Sequence, residues 1–129
     1  MRCSRHLPRV DPFGVGLLGR RVAELDEIER FYTDVLGFDV MVRGYPGALF
    51  VAAGGYHHHI GLNTWNSRDG ARPASGSVGL RAYEVRLGDD AALQQALARV
   101  NDAGIVTEVG PGGATLVRDP SGNGVLLTV

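Results

Sequence analysis

The chain has 129 residues, of which 44% are hydrophobic and 21% charged, and its formal net charge is −1. This length suits one domain with a sizeable core. Acidic and basic residues are interspersed, which argues against a nucleic-acid partner, and the apolar runs are too short to cross a membrane. Cys3 is the only cysteine, and no long apolar core follows the N-terminal arginines. We therefore expect a cytoplasmic protein without a signal peptide.

The first half predicts a strand, a helix and three further strands. Residues 1–13 are expected to form an N-terminal arm, and the apolar segment 15–22 a first strand. Acidic residues then crowd the first turns of an amphipathic helix, where the helix dipole favours them. The apolar stripe of this helix comprises Leu25, Ile28, Tyr32, Val35 and Leu36. Gly37 is its expected left-handed cap. Three short apolar runs predict strands at 38–43, 47–53 and 57–63.

The second half repeats this order after about 65 residues. A strand is predicted at 78–87, followed by a helix whose N-cap is Asp89 or Asp90 and which ends at Gly104. The apolar stripe of this helix comprises Leu93, Ala96, Leu97 and Val100. Three further strands are predicted at 105–109, 114–118 and 124–129. Glycine-rich and proline-containing turns stand at matching points of the two halves, at 44–47 and 110–113.

The repeat predicts an α+β protein built from two βαβββ modules. Module one should cover 14–65 and module two 78–129, joined by a linker, 66–77, rich in Gly, Ser, Pro and Arg, within one domain of residues 14–129. One such module cannot bury both its helix and its sheet well by itself. The modules must therefore pack together or with a second chain, and we expect a homodimer.

Three segments resemble the vicinal oxygen chelate superfamily, which includes glyoxalase I, bleomycin-resistance proteins and extradiol (catechol-type) dioxygenases. The first is 22–38, which begins Val22-Ala23-Glu24-Leu25 and ends Leu36-Gly37-Phe38. The second, His58–Trp65, is similar to the fourth strand of the catechol-dioxygenase-like branch. The third is Arg118–Val125. The resemblance spans about 14–129. It implies that the two modules form a cupped mixed sheet with the active site inside the cup.

In the metal-using members of this superfamily, the ligands come from the first and fourth strands of each module. Those positions correspond here to Gly19, Gly61, Ala82 and Leu126, with the first free to shift within 16–21. Glycine, alanine and leucine side chains cannot bind a metal ion. We therefore expect no metal cofactor at these positions, and a divalent metal ion elsewhere in the cup is the less favoured alternative.

Strand alternation predicts which side chains face the cup with Gly61, Ala82 and Leu126. On this basis Thr128 shares the face of Leu126. Trp65 either packs as core under the linker or stacks on a flat ligand. The predicted ligand-binding residues are His57, His59, Gly61, Asn63, Trp65, Ala82, Glu84, Leu126 and Arg21.

The chemistry of this set leaves several interpretations open. His57 and His59 could hold a metal ion with Glu84 as third ligand, or His59 could act as a general base. The simplest interpretation is that both histidines are polar lining residues that hydrogen bond neighbours. Glu84 is either a partner of Arg21 or an acid with a raised pKa. The segment 119–124 is interpreted as a turn that directs the last strand.

Two functions of different class fit these residues. The first is a metal-free protein that binds a small aromatic or apolar compound in the cup, as bleomycin-resistance-like members do by sequestration. The second is a dioxygenase-like or lyase-like enzyme acting on an aromatic diol or a similar substrate. Its catalytic candidates are His59 and Glu84, working together with His57, with or without a metal ion.

Overall fold

The computed structural model describes residues 18–21, 24–56, 59–65, 74, 76 and 81–129, and for 18–21 it describes the backbone. The predicted arm at 1–13 and most of the predicted linker at 66–77 lie outside these residues. The assignment of these segments stays a prediction.

Module one forms a four-stranded mixed sheet with one helix. Its elements are β1 Leu18–Arg21, α1 Leu25–Arg30, β2 Asp39–Val42, β3 Ala48–Ala52 and β4 Ile60–Asn63. The strand order is β1-β4-β3-β2, with β1 parallel to β4 and the other pairs antiparallel. The helix continues beyond Arg30 as a π-helical segment, Phe31–Val35, and then ends at Gly37, whose φ of +85° confirms the predicted left-handed cap.

Module two repeats this topology. Its elements are β5 Ala82–Arg86, α2 Asp90–Asp102, β6 Glu108–Val109, β7 Thr115–Arg118 and β8 Gly124–Thr128. The strand order is β5-β8-β7-β6, and β5 is parallel to β8. The predicted α+β fold with two βαβββ units is therefore confirmed. The strand predicted at 105–109 is shorter than expected, because Ile105 to Thr107 have no strand pairing.

The start of α2 follows the sequence rules for helix capping. The side chain of Asp89 accepts a 2.7 Å hydrogen bond from the backbone N–H of Ala92, so Asp89 rather than Asp90 is the N-cap. Gly104 closes the helix with a φ of +69°. These two residues fix where the chain enters and leaves the helix, and hence how β5 and β6 are spaced.

Both helices and one face of each sheet share a single hydrophobic core. Its largest fully buried side chains include Tyr32, Ile28 and Leu62 from module one and Leu127 and Val100 from module two. The modules also contact each other directly, because Nε of Arg99 on α2 donates a 2.8 Å hydrogen bond to the backbone oxygen of Val35. We call the sheet faces in this core the core faces and the opposite faces the open faces.

Alternation along the strands assigns side chains to the two open faces. Leu49, Val51, Ile60 and Leu62 belong to the core, so their strand neighbours point the other way. The open face of sheet one therefore carries Ala48, Phe50, Gly61 and Asn63. By the same rule, the open face of sheet two carries Ala82, Glu84, Arg86, Leu116, Leu126 and Thr128.

Candidate functional site

The open face of sheet one centres on Gly61. In the register of the sheet, Gly61 lies between Gly19 of β1 and Phe50 of β3. Gly61 thus adds no side chain to the sheet surface beside Phe50. Asn63 lies at the end of the same strand, and its Oδ1 accepts a 3.2 Å hydrogen bond from the backbone N–H of Trp65. Along β3 and β4 this face is apolar apart from the amide of Asn63, and Asp39 of β2 lies beside Ala52 on the same face.

The open face of sheet two centres on Leu126, which lies between Glu84 of β5 and Leu116 of β7. Oε1 of Glu84 accepts hydrogen bonds from Oγ1 of Thr128 at 2.6 Å and from Nη2 of Arg86 at 3.3 Å. Both bonds lower the pKa of Glu84 below its ordinary value, and the bond from Thr128 has the larger effect. The alternative of Glu84 as an acid with a raised pKa is therefore wrong, and its ion-pair partner is Arg86.

His59 is held by the hairpin between β3 and β4. Its Nδ1 accepts a 3.2 Å hydrogen bond from the backbone N–H of Ala53, and its ring stacks on Tyr56 with centroids 4.6 Å apart. A ring nitrogen that accepts a backbone N–H is unprotonated, so a neutral His59 carries its proton on Nε2. That tautomer has no lone pair at Nε2 for a proton or a metal ion. The geometry favours an orienting role for His59 over that of a general base.

Trp65 is not a core residue, which corrects one of the two sequence interpretations. Trp65 is 55% exposed, and its Nε1 donates a 3.0 Å hydrogen bond to the backbone oxygen of Pro46 in the turn between β2 and β3. The ring of Tyr45 in the same turn packs edge-on against Phe50, with centroids 6.0 Å apart. Two aromatic rings thus stand at the end of the sheet that carries Gly61.

The remaining predicted residues divide between described and undescribed positions. His57 lies outside the described residues, and Arg21 is placed through its backbone, which pairs with Asn63 in the register of β1 and β4. Ala82 pairs with Gly124 on the open face of sheet two. The structure thus divides the described candidates between two sheets, and His59 and Glu84 do not share one.

The residues that the sequence resemblance assigns to the metal positions have no metal-binding side chains. Gly61, Ala82 and Leu126 offer no side-chain oxygen, nitrogen or sulfur, and Gly19 offers none in any conformation. Within the described part of the chain, no group of three or more His, Cys, Asp or Glu side chains is close enough to share a metal ion.

Sequence reasoning missed a buried polar cluster where the modules meet. Asp119 is 1% exposed, and its Oδ2 accepts hydrogen bonds from the Tyr32 hydroxyl at 3.2 Å and from Nδ2 of Asn123 at 2.8 Å. The hydroxyls of Tyr32 and Tyr83 are 2.5 Å apart. Burial raises the pKa of both Asp119 and Tyr32. The apolar stripe that contains Tyr32 gave no signal of this role, although a buried Tyr hydroxyl generally needs a partner.

The comparison with family models decides the family. The model described as the Glyoxalase/Bleomycin resistance protein/Dioxygenase superfamily matches residues 14–127. The chain belongs to this superfamily. The resemblance seen in the sequence is therefore confirmed.

Individual relatives agree with this assignment. Catechol-2,3-dioxygenase of Bacillus subtilis (strain 168) is 46% identical over 96 residues, which is 73% of this chain and 33% of that protein. The chain therefore spans about a third of the length of this curated relative. Among solved structures, lactoylglutathione lyase from Agrobacterium tumefaciens matches with a TM-score of 0.62 and 25% identity, over 90% of this chain and 92% of that one. A glyoxylase/bleomycin resistance protein/dioxygenase domain from Frankia sp. EAN1pec matches with a TM-score of 0.68 and 19% identity. The match covers 92% of this chain and 98% of that one.

A search of the helices in the described residues finds none that is long and apolar enough to cross a membrane.

Proposed function

We propose that this protein binds a small, flat, mostly apolar organic molecule against its open faces, without a metal ion. The proposal is carried by the apolar residues Gly61, Ala82 and Leu126, which the sequence resemblance assigns to the superfamily's ligand positions. These residues remove polarity and bulk from the floor of the site, so a ring system rather than a hydrated cation suits it. Phe50 and Trp65 offer aromatic contact area beside that floor.

Glu84 supplies the chemical selectivity in this proposal. Its lowered pKa keeps the carboxylate ionised at neutral pH, and its two described hydrogen bonds both go to Oε1. In this proposal Oε2 is the acceptor that a ligand uses. An ionised carboxylate accepts hydrogen bonds and repels anions, so the preferred ligand carries a hydroxyl or amine donor on its ring. Phenols and aminophenols meet this description better than aromatic carboxylates.

A binding screen tests the proposal. Phenols, quinones, polycyclic aromatics and aromatic carboxylates are screened by thermal shift on untagged protein, and hits are quantified by calorimetry. We expect donor-bearing rings to bind with micromolar affinity and Phe50→Ala to weaken them, whereas Val106→Ala, at an 82% exposed position outside the sheets, leaves them unchanged. If no compound in the screen binds, the proposed function is wrong.

A ring-cleaving enzyme is the second candidate, favoured by the 46% identity to a catechol-2,3-dioxygenase. In this alternative the catalytic set would be His57, His59 and Glu84, with or without a metal ion. The test is metal analysis of untagged protein together with a catechol cleavage assay. Stoichiometric iron or manganese that is lost in His59→Ala, with yellow ring-opened product from catechol, would establish the enzyme and reject the metal-free binding protein.

We further propose that the functional unit is a cytoplasmic homodimer. Its support is the exposure of the open faces, where the side chains of Glu84 and Arg86 are 46% and 63% exposed. Light scattering over a range of concentrations is expected to give twice the mass of one chain. A mass that stays at one chain at every concentration would reject the dimer.

A further inference from the structure

An exposed tryptophan is held in place at the end of sheet one. Trp65 is more than half exposed, yet both of its N–H groups are hydrogen bonded. Its Nε1 donates to the backbone oxygen of Pro46 at 3.0 Å, and its backbone N–H donates to Oδ1 of Asn63 at 3.2 Å. The indole is thus tied at its polar edge, while much of its apolar surface stays open to solvent.

The turn between β2 and β3 brings Gly47 next to this indole. The backbone N–H of Ala48 donates a 3.0 Å hydrogen bond to the oxygen of Tyr45, which closes the turn with Gly47 as its third residue. The φ of Gly47 is +71°, a conformation that favours glycine at this position of a turn. The oxygen of Gly47 accepts a 2.9 Å hydrogen bond from the backbone N–H of Thr64, so the turn is joined to the chain directly before Trp65.

Gly47 leaves the space that the indole occupies. A Cβ at this position would lie 2.9 Å from Oγ1 of Thr64, 3.3 Å from Nε1 of Trp65 and 3.4 Å from its Cδ1. Thr64 is buried and donates to the oxygen of Gly47 from both its backbone N–H and its hydroxyl, so it cannot move aside without disturbing these bonds. The exposed indole has room to move. A side chain at residue 47 would therefore displace the indole from its bond to Pro46.

The fixed indole extends the apolar open face beyond the end of β4. Trp65 follows Gly61 by four residues, and alternation puts both on the same side of the chain, about 13 Å apart along an extended strand. The rings of Phe50, beside Gly61, and of Tyr45, in the turn, pack edge-on against each other and continue the apolar surface between these two points. A single benzene ring is shorter than this distance, whereas two or three fused rings cover most of it.

We infer that Gly47 is a positioning residue of the ligand site, because it lets the β2–β3 turn hold Trp65 as a fixed stacking surface for the outer ring of a fused polycyclic ligand. The inference rests on the proposed function, in which the ligand lies on the open faces. It narrows the ligand class from phenols in general to hydroxylated fused aromatics. A ring that is already fixed loses little conformational freedom on binding, so more of the stacking energy appears as affinity.

Time-resolved fluorescence anisotropy tests the positioning role without a ligand. Trp65 is the only tryptophan of the chain, so tryptophan emission reports on this indole alone. We expect the unmodified protein to depolarise only with the tumbling of the whole molecule, and Gly47→Ala to add a fast component from a displaced, mobile ring. Gly54→Ala is the matched control, since Gly54 has a similar φ of +66° but, in the described part of the chain, no atom within 4 Å of its Cβ position. Its decay should match that of the unmodified protein.

Calorimetry with phenol and naphthol, which differ by one fused ring, tests the stacking role. We expect naphthol to bind the unmodified protein roughly tenfold more tightly than phenol, a gain typical of one ring stacked on an aromatic side chain. Gly47→Ala and Trp65→Leu should lose most of this gain and keep the affinity for phenol, whereas Gly54→Ala should keep both. General damage to the fold would instead weaken both ligands alike.

The outcomes separate the inference from the proposed function. Equal anisotropy decays of Gly47→Ala and Gly54→Ala would show that Gly47 does not position Trp65. A naphthol gain that survives in Trp65→Leu would remove Trp65 from the site, and this comparison holds even if Gly47→Ala does not fold. Either result overturns the inference and leaves phenol binding, and hence the proposed function, intact. If neither phenol nor naphthol binds, the proposed function is wrong, and the ligand part of the inference with it.

Discussion

The hydroxyl of Tyr32 donates a 3.2 Å hydrogen bond to Oδ2 of Asp119, 87 positions further along the chain. Tyr32 lies in the helix of module one, and Asp119 follows β7 in module two. Since the Tyr32 proton points to Asp119, the hydroxyl of Tyr83 donates to Tyr32 in turn. This relay joins two buried polar groups, Tyr32 and Asp119, to the half-buried Tyr83 at the junction of the modules, so it helps to hold the modules together.

Tyr32→Phe is expected to lower the free energy of unfolding by about 1–3 kcal/mol, because it leaves the buried Asp119 and the half-buried Tyr83 each with one hydrogen-bond partner fewer. Chemical denaturation monitored by circular dichroism measures the change. Tyr45→Phe is the matched control, since the Tyr45 side chain is 61% exposed. Equal stability of the two variants would show that the Tyr32 hydroxyl does not help to hold the modules together.

Asp119→Asn is expected to change how stability depends on pH. The folded-state pKa of Asp119 is raised by burial above its ordinary value of 3.8, so the folded protein holds this proton more tightly than the unfolded chain. The stabilisation linked to that proton is complete below the ordinary value and is lost as the pH rises through the raised pKa. Asp119→Asn has no carboxyl group to titrate at this position, so this loss of stability with rising pH is absent from the variant.

Denaturation midpoints of both proteins, measured from pH 3.5 to 7, provide the check. The stability of Asp119→Asn relative to the unmodified protein should rise with pH across the lower part of this range. The absolute stability of the variant is a separate matter, because the substitution also disturbs the bonds from Asn123. A relative stability that falls with rising pH would mean that the pKa of Asp119 is lowered.

Gly124→Ala is expected to destabilise the protein by about 1–3 kcal/mol through overpacking. A Cβ at Gly124 would lie 2.8 Å from the backbone oxygen of Arg81 and 2.9 Å from Cβ of Ala82. Gly44→Ala is the control, because nothing lies within 4 Å of the Cβ position there. Thermal unfolding of the two variants compares them directly, and a melting temperature as high for Gly124→Ala as for Gly44→Ala would contradict the tight contact between β5 and β8.

Periodicity predicted the faces of the strands well, because alternation is a local property of an extended chain. It placed Gly61 opposite to Ile60, and Glu84 on the face of Leu126, as the structure has them. It could not predict that the ring of His59 bonds back to the β3–β4 hairpin, because that contact depends on the conformation of the intervening turn.

Tertiary contacts explain the other differences. The sequence pattern around Asp119 indicates a turn, and the pattern around its partner Tyr32 indicates an ordinary residue of an apolar helix stripe. Their contact joins distant segments, and no local pattern encodes it. Phe50, in contrast, was within reach of sequence reasoning, because the alternation rule applied to β3 places it on the face of Gly61.

Glu84→Gln is expected to weaken the binding of phenols and other donor-bearing rings roughly tenfold, because a neutral amide oxygen is a weaker acceptor than a carboxylate. Calorimetry at neutral pH measures the loss, and Glu27→Gln on the exposed side of α1 is the matched control. The pKa of Glu84 lies below its ordinary value of 4.5, so the carboxylate stays ionised and the affinity for a neutral phenol should be constant from pH 5 to 8. Affinity that falls as the pH rises through this range would mean that another group titrates in the site, and unchanged affinity in Glu84→Gln would remove Glu84 from it.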